Sequence, residues 1–155
     1  MSDQIGTTAV DATDRLKLGA NAAYTDAEFS RSTNFVTFAG NTPPNVPEWT
    51  GNLWASYDVP SLPLEVGASL RYVDDRFGDN ANNVTLKSYV LGDVFATWTH
   101  NNFRIRARVN NVADEEYVSW SDVFYLQQTD PSFLYANQVL LGSPRTYEVS
   151  FEVSL

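Results

Sequence analysis

The chain has 155 residues, a net charge of -9, an isoelectric point near 4.4 and no cysteine. So acidic a chain has no basic patch to neutralise phosphates, which argues against a nucleic-acid partner, and without cysteine there is no disulfide framework or thiolate metal site. No run approaches 18 apolar residues, so no transmembrane helix is predicted.

In chain order, Met1-Ser2-Asp3-Gln4-Ile5-Gly6 lacks the basic start and apolar core of a secretory signal. Residues 1–15 are expected to hold part of an upstream strand and a turn. From there, segments of strict two-residue period follow one another. Leu16, Leu18, Ala20, Ala22 and Tyr24 oppose Lys17, Gly19, Asn21, Ala23 and Thr25. Trp49, Gly51, Leu53, Ala55 and Tyr57 oppose Thr50, Asn52, Trp54 and Ser56, and Leu64, Val66, Ala68, Leu70 and Tyr72 oppose Glu65, Gly67, Ser69 and Arg71. Val90, Gly92, Val94, Ala96 and Trp98 oppose Tyr89, Asp93 and Thr97, with Leu91 and Phe95 as imperfections. Phe103, Ile105, Ala107 and Val109 oppose Arg104, Arg106, Arg108 and Asn110. The last segment sets Tyr147, Val149, Phe151, Val153 and Leu155 against Glu148, Ser150, Glu152 and Ser154. A period of two specifies β-strands, and no segment carries a helical period, so the chain is predicted all-β: an antiparallel meander of about six long strands.

Strands of about ten residues exceed the usual five or six and match the length that crosses a bilayer at a tilt. The connections alternate between tight turns (Asp58 to Pro63; Thr99-His100-Asn101-Asn102) and long polar segments (26–47, 74–87, 112–144). Short turns at one end and long loops at the other are the habit of outer-membrane barrels.

Three features turn the apolar face toward lipid. Its aromatic residues gather at strand ends, with Tyr24, Trp49, Tyr72 and Tyr147 near the long loops and Tyr57, Trp98 and Phe103 near the turns, as in a double aromatic girdle. Trp49 and Tyr57 would stand roughly 19 Å apart along the membrane normal, suiting an apolar band about 25 Å tall. The face also uses Gly and Ala freely, where a sandwich core would need larger residues to fill space. Arg104, Arg106 and Arg108 test this orientation, since each Arg on the lipid face near mid-membrane costs about 2–4 kcal/mol. All three have the opposite parity and are predicted to face the lumen, with Glu148 and Glu152 of the neighbouring last strand as charge partners.

Several motifs bear a family resemblance. Gly40-Asn41-Thr42-Pro43-Pro44-Asn45-Val46-Pro47-Glu48-Trp49-Thr50 is similar to the Pro-Asn-Val-Pro lead-in to a late barrel strand of TonB-dependent siderophore receptors. Gly67 to Asp79 resembles their Gly-x-Gly-x-Arg-Tyr-Val-x-x-Arg-x-x-Asp strand and loop, and Leu86 to Asp93 their Leu-Pro-x-Tyr-x-x-x-Asp strand. Val109-Asn110-Asn111-Val112-Ala113-Asp114-Glu115-Glu116-Tyr117 and Gly142-Ser143-Pro144-Arg145-Thr146 resemble the turn before, and the lead-in to, their last strand. The five occur in the family's order and cover residues 16–155. Physical reasons support them separately: Pro43, Pro44 and Pro47 cannot donate to a ladder and so end a loop, while Asn110, Asn111 and Asp114 suit turns. Departures are Leu155 where the family ends on an aromatic residue and Lys87 where it has Pro.

The resemblance implies that residues 16–155 are the carboxyl-terminal portion of a transmembrane β-barrel of about 22 strands, with the plug domain outside this sequence. It implies an outer-membrane receptor of a Gram-negative cell, taking up ferric siderophores and driven by the TonB complex through the plug. The partners are then the siderophore, TonB and outer-membrane lipid, with no resident cofactor or metal, the ferric siderophore being cargo. Aromatic and basic loop residues suit a flat, anionic chelate, which marks Arg76, Phe77, Trp120, Phe124, Tyr125, Phe133 and Tyr135 as ligand-binding candidates; the plainer role for them is packing the loops together. No enzyme is expected: the lone His100 sits in a tight turn with no Cys to pair. The competing readings are a porin-like barrel outside this family and a soluble β-sandwich binding module.

Overall fold

The structure, a computed structural model, describes residues 2–30, 38–122 and 138–154. Its main element is one antiparallel sheet of seven strands. These are β1 (Ser2–Asp11), β2 (Leu16–Thr25), β3 (Trp49–Asp58) and β4 (Leu64–Val73), then β7 (Tyr89–His100), β8 (Phe103–Asn110) and β11 (Thr146–Val153). Two short hairpins lie in the long loops: β5 (Arg76–Phe77) with β6 (Thr85–Leu86), and β9 (Val118–Asp122) with β10 (Gln138–Leu141). The sheet runs β1-β2-β3-β4-β7-β8-β11, so each long strand pairs with the next long strand in sequence.

The upstream strand is longer than its alternation suggests. β1 pairs along its length with β2, but its register shifts between Ile5 and Thr7. Ile5 therefore stands opposite Ala22 and Val10 opposite Leu18, an odd and an even position opposite residues of one parity. An extra residue at Gly6 breaks the period and leaves the sequence without a clean strand signature. The hairpins within 74–87 and 112–144, expected as polar loops, are a second difference; each is too short to show a period.

The faces separate as the alternation requires. Across the sheet Leu16, Tyr57, Val66 and Ala96 share a row, and so do Leu53, Leu70 and Gly92. The large residues of this apolar face are exposed, up to 77% at Val149. Contiguous apolar surface of that extent marks a face made for a non-aqueous neighbour. Aromatic pairs punctuate its two ends: Tyr24 and Trp49 at 4.9 Å beside the long loops, Phe103 and Phe151 at 5.8 Å nearer the short turns.

The two imperfections of β7 have a structural explanation. Phe95 points to the polar face, where it meets Gly67 on β4; a Cβ on Gly67 would overlap its ring. Trp54 likewise lies over Gly19 of β2. A glycine beneath each ring gives these large side chains a seat against the wall. Leu91 is buried at the long-loop end of β7.

Tight turns close the other end. Val59 N–H donates to the Leu64 carbonyl (2.9 Å), with Ser61 at φ 64°, and Asn101 at φ 51° carries the turn from β7 to β8. Buried side chains gather instead beneath the long loops, with Leu86, Leu91, Arg76, Asn111 and Ser121 among them.

Candidate functional site

Polar and aromatic chemistry concentrates in two places: the polar face near the short turns, and the junction of the long loops at the opposite end. On the polar face, β11 sets Glu152 opposite Arg104, Ser150 opposite Arg106 and Glu148 opposite Arg108. All five predicted charges thus share one face, with Val149 and Phe151 on the other. Arg104 Nη1 and Glu152 Oε2 form an ion pair at 3.1 Å between two exposed side chains, an arrangement that contributes about 1 kcal/mol at most. Glu148 turns elsewhere and accepts from Asn110 Nδ2 at 2.9 Å. The Arg106 guanidinium lies over the Phe95 ring, 4.8 Å from its centroid. Arg104, Arg106, Ser150 and Glu152 border a groove of about 480 Å³, lined also by Asp58, Glu65 and Thr97. Thr97 Oγ1 is buried there and has no partner among the described residues.

At the loop end three separate connections are tied together. Asn45, at φ 61° in the loop before β3, donates its backbone N–H to the Phe77 carbonyl (2.8 Å). Its side chain pairs with Ser121 twice: Nδ2 donates to the Ser121 carbonyl (2.7 Å) and Oδ1 accepts from the Ser121 N–H (2.8 Å). Ser121 is fully buried, and its hydroxyl donates to the Gly78 carbonyl at 3.0 Å. Arg76 Nη2 donates to the carbonyls of Val118 (2.5 Å) and Ser119 (3.2 Å), and its guanidinium stands 5.5 Å from the Tyr89 ring. Tyr89 packs on Tyr117 at 4.4 Å, and Tyr117 occupies the space above Gly142.

A second clasp joins the end of β8 to the start of β11. Asn111, buried and at φ 52°, donates Nδ2 to the carbonyls of Glu115 (2.9 Å) and Ser143 (3.2 Å). Its Oδ1 accepts from Glu115 N–H, and its own N–H reaches Asp93 Oδ1, each at 2.9 Å. Asp114 Oδ1 accepts from Arg145 N–H at 2.8 Å. The two motifs flanking the longest loop are thus hydrogen-bonded to each other, the turn role expected of Asn111 and Asp114 extended across the loop.

Of the ligand-binding candidates, Arg76 is 4% exposed, Phe77 is half-buried, and Trp120 is 47% exposed on β9 opposite Leu140. Phe124, Tyr125, Phe133 and Tyr135 lie outside the described residues. Asn45 and Tyr117 stand in motifs that give neither an individual role, and Ser121 stands in none. Their partners stand up to 76 positions away, and an Asn within a Pro-rich lead-in gives only the turn signal.

Residues 7–112 match the family model described as TonB dependent receptor-like, beta-barrel. The chain belongs to the TonB-dependent receptor β-barrel family. It is 34% identical over 116 residues to the Acinetobacter baumannii protein named "Probable TonB-dependent siderophore receptor PiuA", covering 68% of this chain and 15% of that protein. It is 33% identical over 113 residues to the ferrioxamine receptor of Yersinia enterocolitica (68% and 16%) and 36% identical over 104 residues to the ferrichrome outer membrane transporter/phage receptor of Escherichia coli K12 (62% and 14%). The crystal structure of PiuA superposes with a TM-score of 0.73 at 26% identity, over 92% of this chain and 20% of that one. The ferric yersiniabactin receptor FyuA of Yersinia pestis shares the fold at TM-score 0.74 and 17% identity, over 94% of this chain and 22% of that one. The chain spans about 15% of the length of the curated relatives it matches.

The sheet is a section of TonB-dependent barrel wall in the outer membrane of a Gram-negative cell. The two faces of this wall differ as the alternation requires: one is apolar and exposed, and the other carries Arg104, Arg106 and Arg108. Porin-like and soluble-sandwich readings are thereby set aside.

Proposed function

We propose that this chain is the carboxyl-terminal part of the barrel of a receptor that takes up ferric siderophores, energised by TonB acting on a plug domain. The relatives at 33–36% identity are named as siderophore, ferrioxamine and ferrichrome receptors or transporters, and this supports uptake rather than catalysis. In this reading the wall supplies a rigid frame and a polar lumen, while the knotted loops present aromatic side chains to the ligand. Trp120 is the described candidate with free apolar surface; stacking on a chelate needs such surface. The carrying observation is the match to PiuA, in which sequence likeness above the level of shared fold coincides with superposition over nearly the whole chain.

The test is deletion of the receptor that carries this chain in its own cell, followed by growth and ⁵⁵Fe uptake with ferrioxamine B, ferrichrome or another ferric siderophore as sole iron source. Loss of uptake of at least one ferric siderophore, restored by the intact receptor, is the expected result. Unchanged uptake of every siderophore the cell can use, with no other receptor to account for it, overturns the reading.

A further inference from the structure

We infer that Arg76 is a positioning residue for the β9–β10 hairpin and sets where Trp120 stands, rather than contacting the transported ligand itself. The inference deepens the uptake reading and rests on it only for its ligand arm.

An arginine in an extracellular loop of a receptor for anionic chelates would ordinarily serve as a charge for the ligand. Here its surroundings assign it otherwise. Arg76 is 4% exposed, and Nη2 is spent on two consecutive backbone carbonyls, those of Val118 and Ser119. Its guanidinium also stands over the Tyr89 ring at the loop end of β7. Nη1 is buried with no acceptor among the described residues, so the group is committed to the protein by one nitrogen and a ring face. A buried cation is costly unless hydrogen bonds compensate it, and here the backbone carbonyls of β9 supply them.

The carbonyls it holds immediately precede Trp120, and Asn45 fixes Ser121 immediately after it. The backbone on both sides of Trp120 is therefore pinned to other loops while its side chain remains 47% exposed. Across the hairpin stands Leu140, itself 62% exposed. The hairpin is thus clamped on its inner side and apolar on its outer side, as a presenting element requires.

The test uses the receptor carrying this chain, with a nitroxide attached at Leu140→Cys and, as a control, at Ile105→Cys on the lipid face. Residues 1–155 contain no cysteine, and any cysteine elsewhere in the receptor is first replaced by serine. Arg76→Gln is expected to raise the mobile spectral component at position 140 several-fold and to leave position 105 unchanged. Equal spectra at position 140 with and without Arg76 overturn the inference. Should Arg76→Gln fail to assemble a heat-modifiable barrel, Arg76→Lys, which keeps the charge but loses the planar fork, is judged by the same criterion.

The second arm measures binding of ferrioxamine B and ferrichrome. Weakened binding in Arg76→Gln that is no further weakened by adding Trp120→Ala is the expected pattern, because both changes remove one presented ring. Additive losses, or lost binding with an unmoved hairpin, make Arg76 a ligand contact and overturn the inference. If the unaltered receptor binds neither chelate, the choice of cargo fails while the mobility result still decides the role of Arg76.

Discussion

Val149 and Ser150 are adjacent in sequence yet belong to different solvents. Val149 pairs across from Ala107 on the apolar face, whereas Ser150 pairs across from Arg106 on the polar face. An arginine at 149 must enter hydrocarbon, at a cost of about 2–4 kcal/mol near the midplane, while one at 150 meets water and polar groups. Folding of the receptor into lipid vesicles, titrated with urea, is expected to show Val149→Arg less stable than Ser150→Arg by that margin; equal stabilities would contradict the assignment of faces. Glycines allow a similarly sharp contrast. A Cβ at Gly67 would overlap the Phe95 ring and come within 2.8 Å of the Ala55 carbonyl oxygen, whereas the nearest atom to one at Gly92 is 3.4 Å away. Gly67→Ala is therefore expected to destabilise by about 1–3 kcal/mol through overpacking, and Gly92→Ala to be close to neutral. The same vesicle titration reads both, and a tolerated Gly67→Ala would mean the ring has another place to go.

At the scale of elements, the clasp around Asn111 governs how the longest loop leaves β8 and returns at β11. Replacing Asn111 by Ala leaves the Glu115 and Ser143 groups without their buried partner, which costs about 1–3 kcal/mol. It also puts alanine, which lacks the local side-chain hydrogen bonds by which Asn tolerates the left-handed region, into that conformation, for about 1 kcal/mol more. Asn111→Gly removes the second cost but not the first, so its loss should fall between those of the wild type and Asn111→Ala. Urea unfolding of the three forms is the measurement; a glycine variant as stable as the wild type would show that the backbone conformation alone matters. Strand pairing has a different character. The β8–β11 ladder matches Tyr147, Val149, Phe151 and Val153 with Val109, Ala107, Ile105 and Phe103 without interruption, so register there is enforced by lipid on one side and water on the other.

For the whole molecule, the sheet order begins with β1 and ends with β11, each paired on one side within residues 2–154. Backbone N–H and C=O groups along such an edge find no water in hydrocarbon, and each one left unpaired costs several kcal/mol. Residues 1–155 prepared as a separate polypeptide are thus expected not to form a single-copy, heat-modifiable species in lipid vesicles. They should aggregate or join edge to edge with further copies. Mass determination in detergent together with gel mobility before and after boiling decides the matter, and a stable, fully inserted single copy would overturn the edge argument.

Much of this architecture was legible in the order of residues alone. A two-residue period is a property of the extended backbone, so the faces of β2, β3, β4, β8 and β11, the shared parity of the three arginines and the aromatic strand ends followed without tertiary information. Arg104 and Glu152 even meet as parity suggested, while Glu148 accepts from Asn110, because the acceptor geometry near the strand end is chosen by side chains and not by period. Tertiary structure alone decided three things. It placed Phe95 and Trp54 on the polar face, where a glycine on the neighbouring strand makes room for each ring. It extended the upstream strand to Ser2–Asp11, where the shift at Gly6 cancels the alternation that would have marked its full length. And it joined Asn45 to Ser121 and Arg76 to Val118, across 76 and 42 positions respectively. Contacts of that kind link side chains to backbone across separate loops; they have no period, and only the folded wall brings their partners within reach.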